Sequence, residues 1–201
     1  MISHAHPDHF NRASVRALEG GPIVVVPCGL GARAVRTGRR VREVTVDDSI
    51  EIRGLRVTAV RARHGRWPLH PDALPLGYLI EGSTSVYFAG DTALHAGMPQ
   101  LAGRVDVALL PVGRWGPPRG PARLGPATAV DAARLVGARS VIPIHWGTLY
   151  LPGFRAGRWG WGSFAAGDDF AIEAADRAPE LDVRVLRPGE ATEFGPASER
   201  T

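Results

Sequence analysis

Lysine is absent from this sequence, in which all 24 basic residues are arginine. The formal net charge is +4 at pH 7, but the arginines are scattered along the chain. No aromatic residues alternate with them, as they do in surfaces that stack single-stranded bases. The composition therefore does not predict nucleic-acid binding, and we expect the basic run around Arg39 and Arg40 to be a solvated face.

Cysteine occurs once, as Cys28, so no disulfide can form within the chain. No apolar run is long enough for a membrane-spanning helix, and no signal peptide is visible. We therefore expect a cytoplasmic protein without membrane insertion. The 201 residues are enough for a sizeable core, and no linker or charge block divides them. The sequence predicts a single domain over residues 1–201.

Three of the seven histidines lie in one short segment at the start of the chain, with the pattern His-x-His-x-Asp-His. The segment reads Ser3-His4-Ala5-His6-Pro7-Asp8-His9-Phe10. Imidazole nitrogen and carboxylate oxygen are ligands that zinc and its first-row neighbours prefer. His4 and His6 share a face if the segment is extended, while Asp8 and His9 follow the turn that Pro7 favours. The pattern favours two metal ions over a surface histidine cluster, because Asp8 is interleaved and an apolar residue follows.

Three further candidate ligands follow predicted strands. His64 comes after segment 55–61, whose alternation of apolar and polar residues predicts a half-buried strand, Asp91 comes after 85–88, and His145 after 141–144. Loops at the carboxyl ends of strands are where layered α/β proteins build their sites. Either histidine alone would more often be a packing or surface residue, but together they favour a site.

Four segments together resemble the metallo-β-lactamase superfamily. They are the opening motif, Arg61-Ala62-Arg63-His64, Phe88-Ala89-Gly90-Asp91-Thr92 and Ile142-Pro143-Ile144-His145-Trp146-Gly147-Thr148. The last two are most similar to the branch that includes L-ascorbate-6-phosphate lactonase and N-acylphosphatidylethanolamine phospholipase D. The resemblance implies that one metal is held by His4, His6, His64 and Asp91. It implies that the other is held by Asp8, His9, Asp91 and His145.

Alternating predicted elements fit the α/β fold that this resemblance implies, a four-layer αββα sandwich with its site along one rim of the sheets. We predict helices over 11–18, 29–37, 126–136 and 163–175, with Asn11 as the cap of the first. We predict strands over 23–26, 41–46, 50–52, 55–61, 76–81, 85–88, 105–110, 141–144 and 183–186.

The front of the chain departs from the family pattern. The resemblance implies several strands before the opening motif, whereas Met1 and Ile2 leave only the end of one. We therefore expect an N-terminally truncated sandwich whose true start lies upstream; a decaying gene or a partner that covers the sheet are the alternatives. A bared sheet would favour homo-oligomers, aggregation or low stability.

A second departure lies at Arg123, in the stretch where similar proteins carry a histidine that reaches toward the substrate. A guanidinium cannot transfer a proton near neutral pH, but its planar fork can hold a carboxylate or phosphate. The alternative is a solvated loop residue. His95 and Trp115 are weaker candidates for the pocket wall, and we predict a structural role for His70.

The resemblance implies metal-assisted hydrolysis of a small-molecule substrate. Two divalent ions, with zinc as first choice and manganese or iron as alternatives, would share Asp91 and a bridging hydroxide that attacks a lactone, ester or phosphodiester. Asp8 would also take or return the proton of the leaving group. Thr92 is expected either to orient Asp91 or to act as a turn residue. A truncated, catalytically silent metal-binding remnant or interaction protein is the alternative function.

Overall fold

The computed structural model describes residues 1–65, 72–113, 123–147 and 165–195. The helices are α1 (Arg12–Ala17), α2 (Gly31–Val35), α3 (Pro126–Val136) and α4 (Ala166–Arg177), with a short 3₁₀ helix at Met98–Leu101. The strands are β1 (Ile23–Pro27), β2 (Arg40–Val44), β3 (Ser49–Ile52), β4 (Leu55–Arg61), β5 (Leu76–Glu81), β6 (Val86–Phe88), β7 (Val107–Pro111), β8 (Ser140–Ile144) and β9 (Asp182–Val183). None of the helices in these ranges has the length and hydrophobicity needed to cross a membrane.

The strands form two sheets. β1 and β2 pair in parallel, and the other seven strands form a mixed sheet in the order β3-β4-β5-β6-β7-β8-β9. Pairing is antiparallel from β3 to β6 and parallel from β6 to β9. The segment before the histidine motif lies across both sheets, because Ile2 N–H donates to the Val25 carbonyl and Leu76 N–H donates to the Ser3 carbonyl.

Three apolar clusters separate four layers, which confirms the predicted αββα architecture. On the outer face of the small sheet, Val24 and Val26 pack with residues of α1 and α2. Val25 points the other way and packs against the large sheet, as the two-residue period of a strand requires. The far face of the large sheet is covered by α3 and α4, which contribute Val130 and Phe170, among others.

Strand β4 differs from its predicted half-buried form. Val57 through Val60 are all buried, so neither face of the strand is open to solvent along this stretch. Val57 and Ala59 face the small sheet, while Val60 faces the helical layer. The alternation in 55–61 indicated one buried face, and that expectation was wrong because Thr58 is also buried, with its hydroxyl bonded to that of Ser49.

The ends of α1 are held by side chains. Asn11 Oδ1 accepts the Ser14 N–H, which is the predicted cap. At the other end the Arg39 guanidinium donates to the carbonyls of Val15, Arg16 and Leu18. The prediction of a solvated basic face was therefore wrong for Arg39, which satisfies carbonyls that the end of the helix leaves open.

The bounds of helices and strands were predicted best where residues at the ends of the element determine where it begins and ends. Helix 126–136 and strand 76–81 occupy the predicted residues, and Gly137 ends α3 in the left-handed conformation, with φ +66°. Helix 29–37 is shorter than predicted, and the final strand 183–186 is replaced by Asp182–Val183. The predicted start of helix 163–175 lies outside the described residues.

The topology brings the candidate ligands to one edge. β4 and β6 are both antiparallel to β5, so they run in the same direction, and β7 and β8 run parallel to β6. The carboxyl ends of β4, β6 and β8 therefore meet at one edge of the sheet. His64, Asp91 and His145 follow these ends, and the N-terminal loop lies against the same edge.

Candidate metal centre

All seven predicted metal ligands come together in two adjoining clusters. In the first, His4 Nε2 lies 2.9 Å from His6 Nδ1, and His64 Nε2 lies 3.2 Å from the same nitrogen. The ligand atoms of these three residues all lie within 4.8 Å of one another. His4 and His6 belong to one short loop, whereas His64 comes from the end of β4, so the cluster depends on tertiary packing.

The second cluster contains Asp8, His9 and His145. His9 Nε2 lies 3.3 Å from His145 Nε2, and the Asp8 carboxylate lies 3.5 Å from His9 Nε2 and 3.8 Å from His145 Nε2. The two imidazoles stack with a ring-centroid distance of 5.2 Å. His145 has a left-handed backbone, with φ +60°, at the point where β8 ends.

Asp91 lies between the clusters and faces each with a different oxygen. Its Oδ2 is 3.5 Å from His64 Nε2, while its Oδ1 is 3.4 Å from His9 Nε2 and 3.3 Å from His145 Nε2. Asp91 is buried, and its Oδ1 makes no hydrogen bond with any of the described residues. A carboxylate in this position can serve two cations at once.

The donor set fits divalent metal ions. Imidazole nitrogens approach one another at 2.9–3.3 Å, and a buried carboxylate oxygen next to them has no hydrogen-bond partner among the described residues. A buried polar group without a hydrogen bond destabilises the fold unless a ligand, such as a metal ion, interacts with it. Five imidazoles and two carboxylates are a donor combination suited to zinc and related metals.

Protonation states favour metal binding in the first cluster. Burial, together with the neighbouring imidazoles of His9, His64 and His6, lowers the pKa of His4 to about 2. Burial also lowers the pKa of His64 to about 4 and that of His6 below its ordinary value. These rings are therefore neutral near pH 7, which is the form that can donate a lone pair to a metal.

In the second cluster Asp8 and His145 shift each other's pKa values. Burial acts to raise the pKa of Asp8, but hydrogen bonds from His145 and His9 outweigh it and lower that pKa. Burial likewise opposes charging of His145, but the carboxylates of Asp8 and Asp91 raise its pKa. Asp8 is consequently ionised near neutral pH.

Acid should destabilise the metal-free protein. Because the pKa of His4 is about 2 in the folded chain against an ordinary 6.5, the unfolded chain binds this proton more readily, and lowering the pH favours unfolding. The lowered pKa values of His6 and His64 have the same effect on stability. The raised pKa of His145 has the opposite effect, but it is one imidazole against three. We expect the melting temperature of chelator-treated protein to fall between pH 6.5 and 4.

Calorimetry at several pH values, with His64→Asn as the comparison, checks this expectation. The melting temperature of the variant should fall less steeply with decreasing pH, because one of the imidazoles with a lowered pKa has been removed. A melting temperature that stays constant from pH 7 to 4 would contradict the expectation.

Thr92 connects the loops that carry the ligands. Its hydroxyl accepts the Arg63 N–H at 3.0 Å and donates to the Ala93 carbonyl, and its own carbonyl accepts the Leu124 N–H at 2.9 Å. Ala93 N–H donates in turn to the Arg63 carbonyl. Thr92 thus ties the backbone next to His64 to the Asp91 loop. The Thr92 hydroxyl thus contacts backbone groups of Arg63 and Ala93 rather than the Asp91 carboxylate.

The predicted substrate residues lie in different places. Arg123 lies with Asp91, Thr92 and His145 around a narrow gap, too small for a water molecule, next to the second cluster. His95 lines a larger cavity of about 780 Å³, which His64 of the first cluster also lines, and there its Nδ1 accepts the Gly97 N–H. Trp115, His70 and Thr148 lie outside the described residues.

Two residues of the centre were not anticipated from the sequence. Ser3 has its hydroxyl next to two of the imidazoles, and its position directly before His4 was an available signal. Gly113 follows β7, and a Cβ there would lie only 1.9 Å from the His145 carbonyl oxygen. No sequence pattern marks this second contact, because the two residues come from different strands.

Comparison with known proteins agrees with this geometry. A family described as a β-lactamase superfamily domain matches residues 1–146. A UPF0173 protein of Pyrococcus furiosus is 32% identical over 195 residues, which cover 96% of this chain and 81% of that protein. A UPF0173 metal-dependent hydrolase of Methanoculleus marisnigri is 32% identical over 204 residues, which cover 97% of this chain and 81% of that protein.

A solved structure shows the same fold. Igni18, described as a novel metallo hydrolase from Ignicoccus hospitalis, superposes with a TM-score of 0.73 at 26% identity, covering 96% of this chain and 78% of its own. The fold, the gathered His and Asp side chains and these relatives agree. The chain belongs to the β-lactamase superfamily, in the UPF0173 family of metal-dependent hydrolases.

Proposed function

We propose that this hydrolase uses two divalent ions, with zinc as first choice, to cleave a lactone, ester or phosphodiester in a small molecule. One observation carries the proposal: the two oxygens of Asp91 face two separate ligand clusters. A single-ion site would need only one of these clusters. The first ion would be held by His4, His6, His64 and Asp91, and the second by Asp8, His9, Asp91 and His145.

Bound divalent ions supply Lewis acidity, which activates water and polarises the bond under attack. The chain itself then has to hold the substrate and move protons. Asp8 is suited to the second task, because it is ionised near neutral pH and 30% of its side chain is exposed. It can accept a proton from the attacking water and return it to the leaving group. No side chain has to act as a covalent nucleophile.

We propose that Arg123 binds an anionic group of the substrate. Its side chain lies beside Asp91 and His145 at a narrow gap, and its charge is near enough to add to the effect of burial in lowering the pKa of His64. A guanidinium offers two parallel N–H donors to a carboxylate or phosphate. We therefore propose that the preferred substrate carries a negative charge close to the bond that is cleaved.

Replacing Arg123 with alanine should lower kcat/KM for anionic substrates by about 10- to 100-fold, the range expected when a charged hydrogen bond is lost. Neutral substrates of similar size should be cleaved at nearly the wild-type rate. Arg123→Lys should recover only part of the loss, because an ammonium keeps the charge but lacks the planar fork. Steady-state kinetics on matched anionic and neutral esters measures the difference.

Arg42→Ala is a suitable control, since Arg42 is exposed on β2 in the small sheet. It should leave both substrate classes unaffected. An equal loss for anionic and neutral substrates in Arg123→Ala, or no loss, would remove the proposed contact.

The proposed function is tested by measuring metal content and turnover together. The purified chain should bind two ions, detected by elemental analysis, and should hydrolyse at least one member of a panel that includes a generic phosphodiester, simple esters and lactones. Chelation should abolish the activity, and added zinc or manganese should restore it. Full metal loading without turnover of any substrate would instead support the silent metal-binding alternative.

A further inference from the structure

We propose that Ser3 is a positioning residue that holds one imidazole on each side of the centre with a single hydroxyl oxygen. This inference rests on the proposed two-ion function. Ser3 Oγ lies 3.0 Å from His4 Nδ1 and 3.4 Å from His9 Nδ1. In the ligand sets proposed above, His4 serves one ion and His9 serves the other.

The orientation of the two rings determines which nitrogen binds metal. His4 directs Nε2 toward His6 Nδ1 at 2.9 Å, and His9 directs Nε2 toward His145 Nε2 at 3.3 Å. In both rings Nδ1 is therefore the nitrogen on the side of Ser3. A ring that offers the Nε2 lone pair to a metal carries its proton on Nδ1, so both Nδ1–H groups become donors.

A serine hydroxyl can satisfy both donors. Its oxygen has two lone pairs, and so it can accept from His4 and His9 at the same time. The 3.0 Å contact is close to ideal, whereas 3.4 Å is long for an N–H···O hydrogen bond, so His4 is held more firmly. Hydrogen bonds of this kind fix the tautomer and the direction of a metal-binding histidine.

The position of Ser3 is itself well determined. The side chain is buried, with 3% of the residue exposed. Its carbonyl accepts the Leu76 N–H at 2.9 Å, and the preceding residue, Ile2, donates to Val25 at 2.8 Å. On the other side is Gly90, where an added Cβ would lie 2.8 Å from Ser3 Cβ. The two sheets and the loop before Asp91 therefore leave little freedom for the hydroxyl.

Removing the hydroxyl should weaken the binding of both ions. We expect Ser3→Ala to lower the affinity for each zinc ion by about 10- to 100-fold, the usual cost of losing a residue that orients a metal ligand. Competition with a chromophoric chelator measures the two affinities. Ser14→Ala is the matched control, because this serine is exposed on α1, and it should bind zinc as the wild type does.

A second measurement does not depend on how well the variant folds. In the zinc-loaded wild-type protein, ¹⁵N–¹H spectra of the imidazoles should show His4 and His9 both as Nδ1–H tautomers with slowly exchanging protons. If either ring is the Nε2–H tautomer, Ser3 cannot accept from both rings and the proposal is overturned. Loss of affinity for only one ion in a Ser3→Ala protein that melts normally without metal would also overturn it.

Failure of this proposal can be told apart from failure of the proposed function. A wild-type chain that binds one zinc ion, or that binds two and hydrolyses nothing, speaks against the two-ion hydrolase. Unchanged zinc affinities in Ser3→Ala, together with a wild type that binds two ions and turns over substrate, speak only against the role of Ser3.

Discussion

Asp91→Ala should lose at least one bound ion and lower hydrolysis by more than about 100-fold. Replacing a residue that merely orients a metal ligand lowers metal affinity or activity by about 10- to 100-fold. A larger loss is expected here because Asp91 is proposed to contact both ions directly. Its carboxylate lies 3.3–3.5 Å from imidazoles of both clusters and directs a different oxygen toward each. Elemental analysis and steady-state kinetics on the purified variant measure the two losses.

The control for Asp91→Ala is Asp176→Ala, which removes an exposed carboxylate from α4. This variant should keep its metal content and activity. An Asp91→Ala protein that still binds two ions and turns over substrate normally would refute the bridging assignment. An asparagine at the same position keeps the shape but not the charge, and should resemble the alanine variant.

Gly113→Ala should displace His145 and reduce activity severely, although the substituted residue is not a ligand. A Cβ at position 113 would lie 1.9 Å from the His145 carbonyl oxygen and 3.0 Å from Trp146 Cα, and both of these are backbone atoms that cannot rotate away. The neighbouring Val112 donates its N–H to the Ile144 carbonyl, which fixes the two strand ends against each other. The backbone of β8 therefore has to move, and His145 with it.

The expected outcome for Gly113→Ala is selective. The ion that depends on His145 should be lost or bound about 100-fold more weakly, whereas the cluster of His4, His6 and His64 should still bind zinc. Gly195→Ala is the comparison, since nothing lies within 4 Å of a Cβ added there. If Gly113→Ala retained both ions and full activity, the close approach of the two strands could not be important for the site.

The sequence predicted local features well where neighbouring residues alone are sufficient to determine them. Asn11 caps α1 because its side chain reaches an N–H only three residues away. Helix α3 has its predicted bounds because proline favours the first turn of a helix and glycine the end. The partners of such groups are close in the chain, so no knowledge of the tertiary fold is required.

The sequence also indicated which side chains would come together, through a resemblance spread over four segments. Three of the candidate ligands, His64, Asp91 and His145, follow strands, and the carboxyl ends of neighbouring strands that run the same way meet at one edge of a sheet. The structure brings all seven of these side chains together. That result depends on topology, which a family resemblance can supply.

The tertiary structure alone decided the supporting contacts. The Thr92 hydroxyl bonds Arg63, 29 residues away, and Gly113 gives room to a carbonyl on another strand. Ser3 lies between two imidazoles because both sheets hold its backbone. Burial of both faces of β4 likewise required a second sheet against it. Such contacts join segments that are distant in the chain, and their distances follow from packing, which the order of residues does not display.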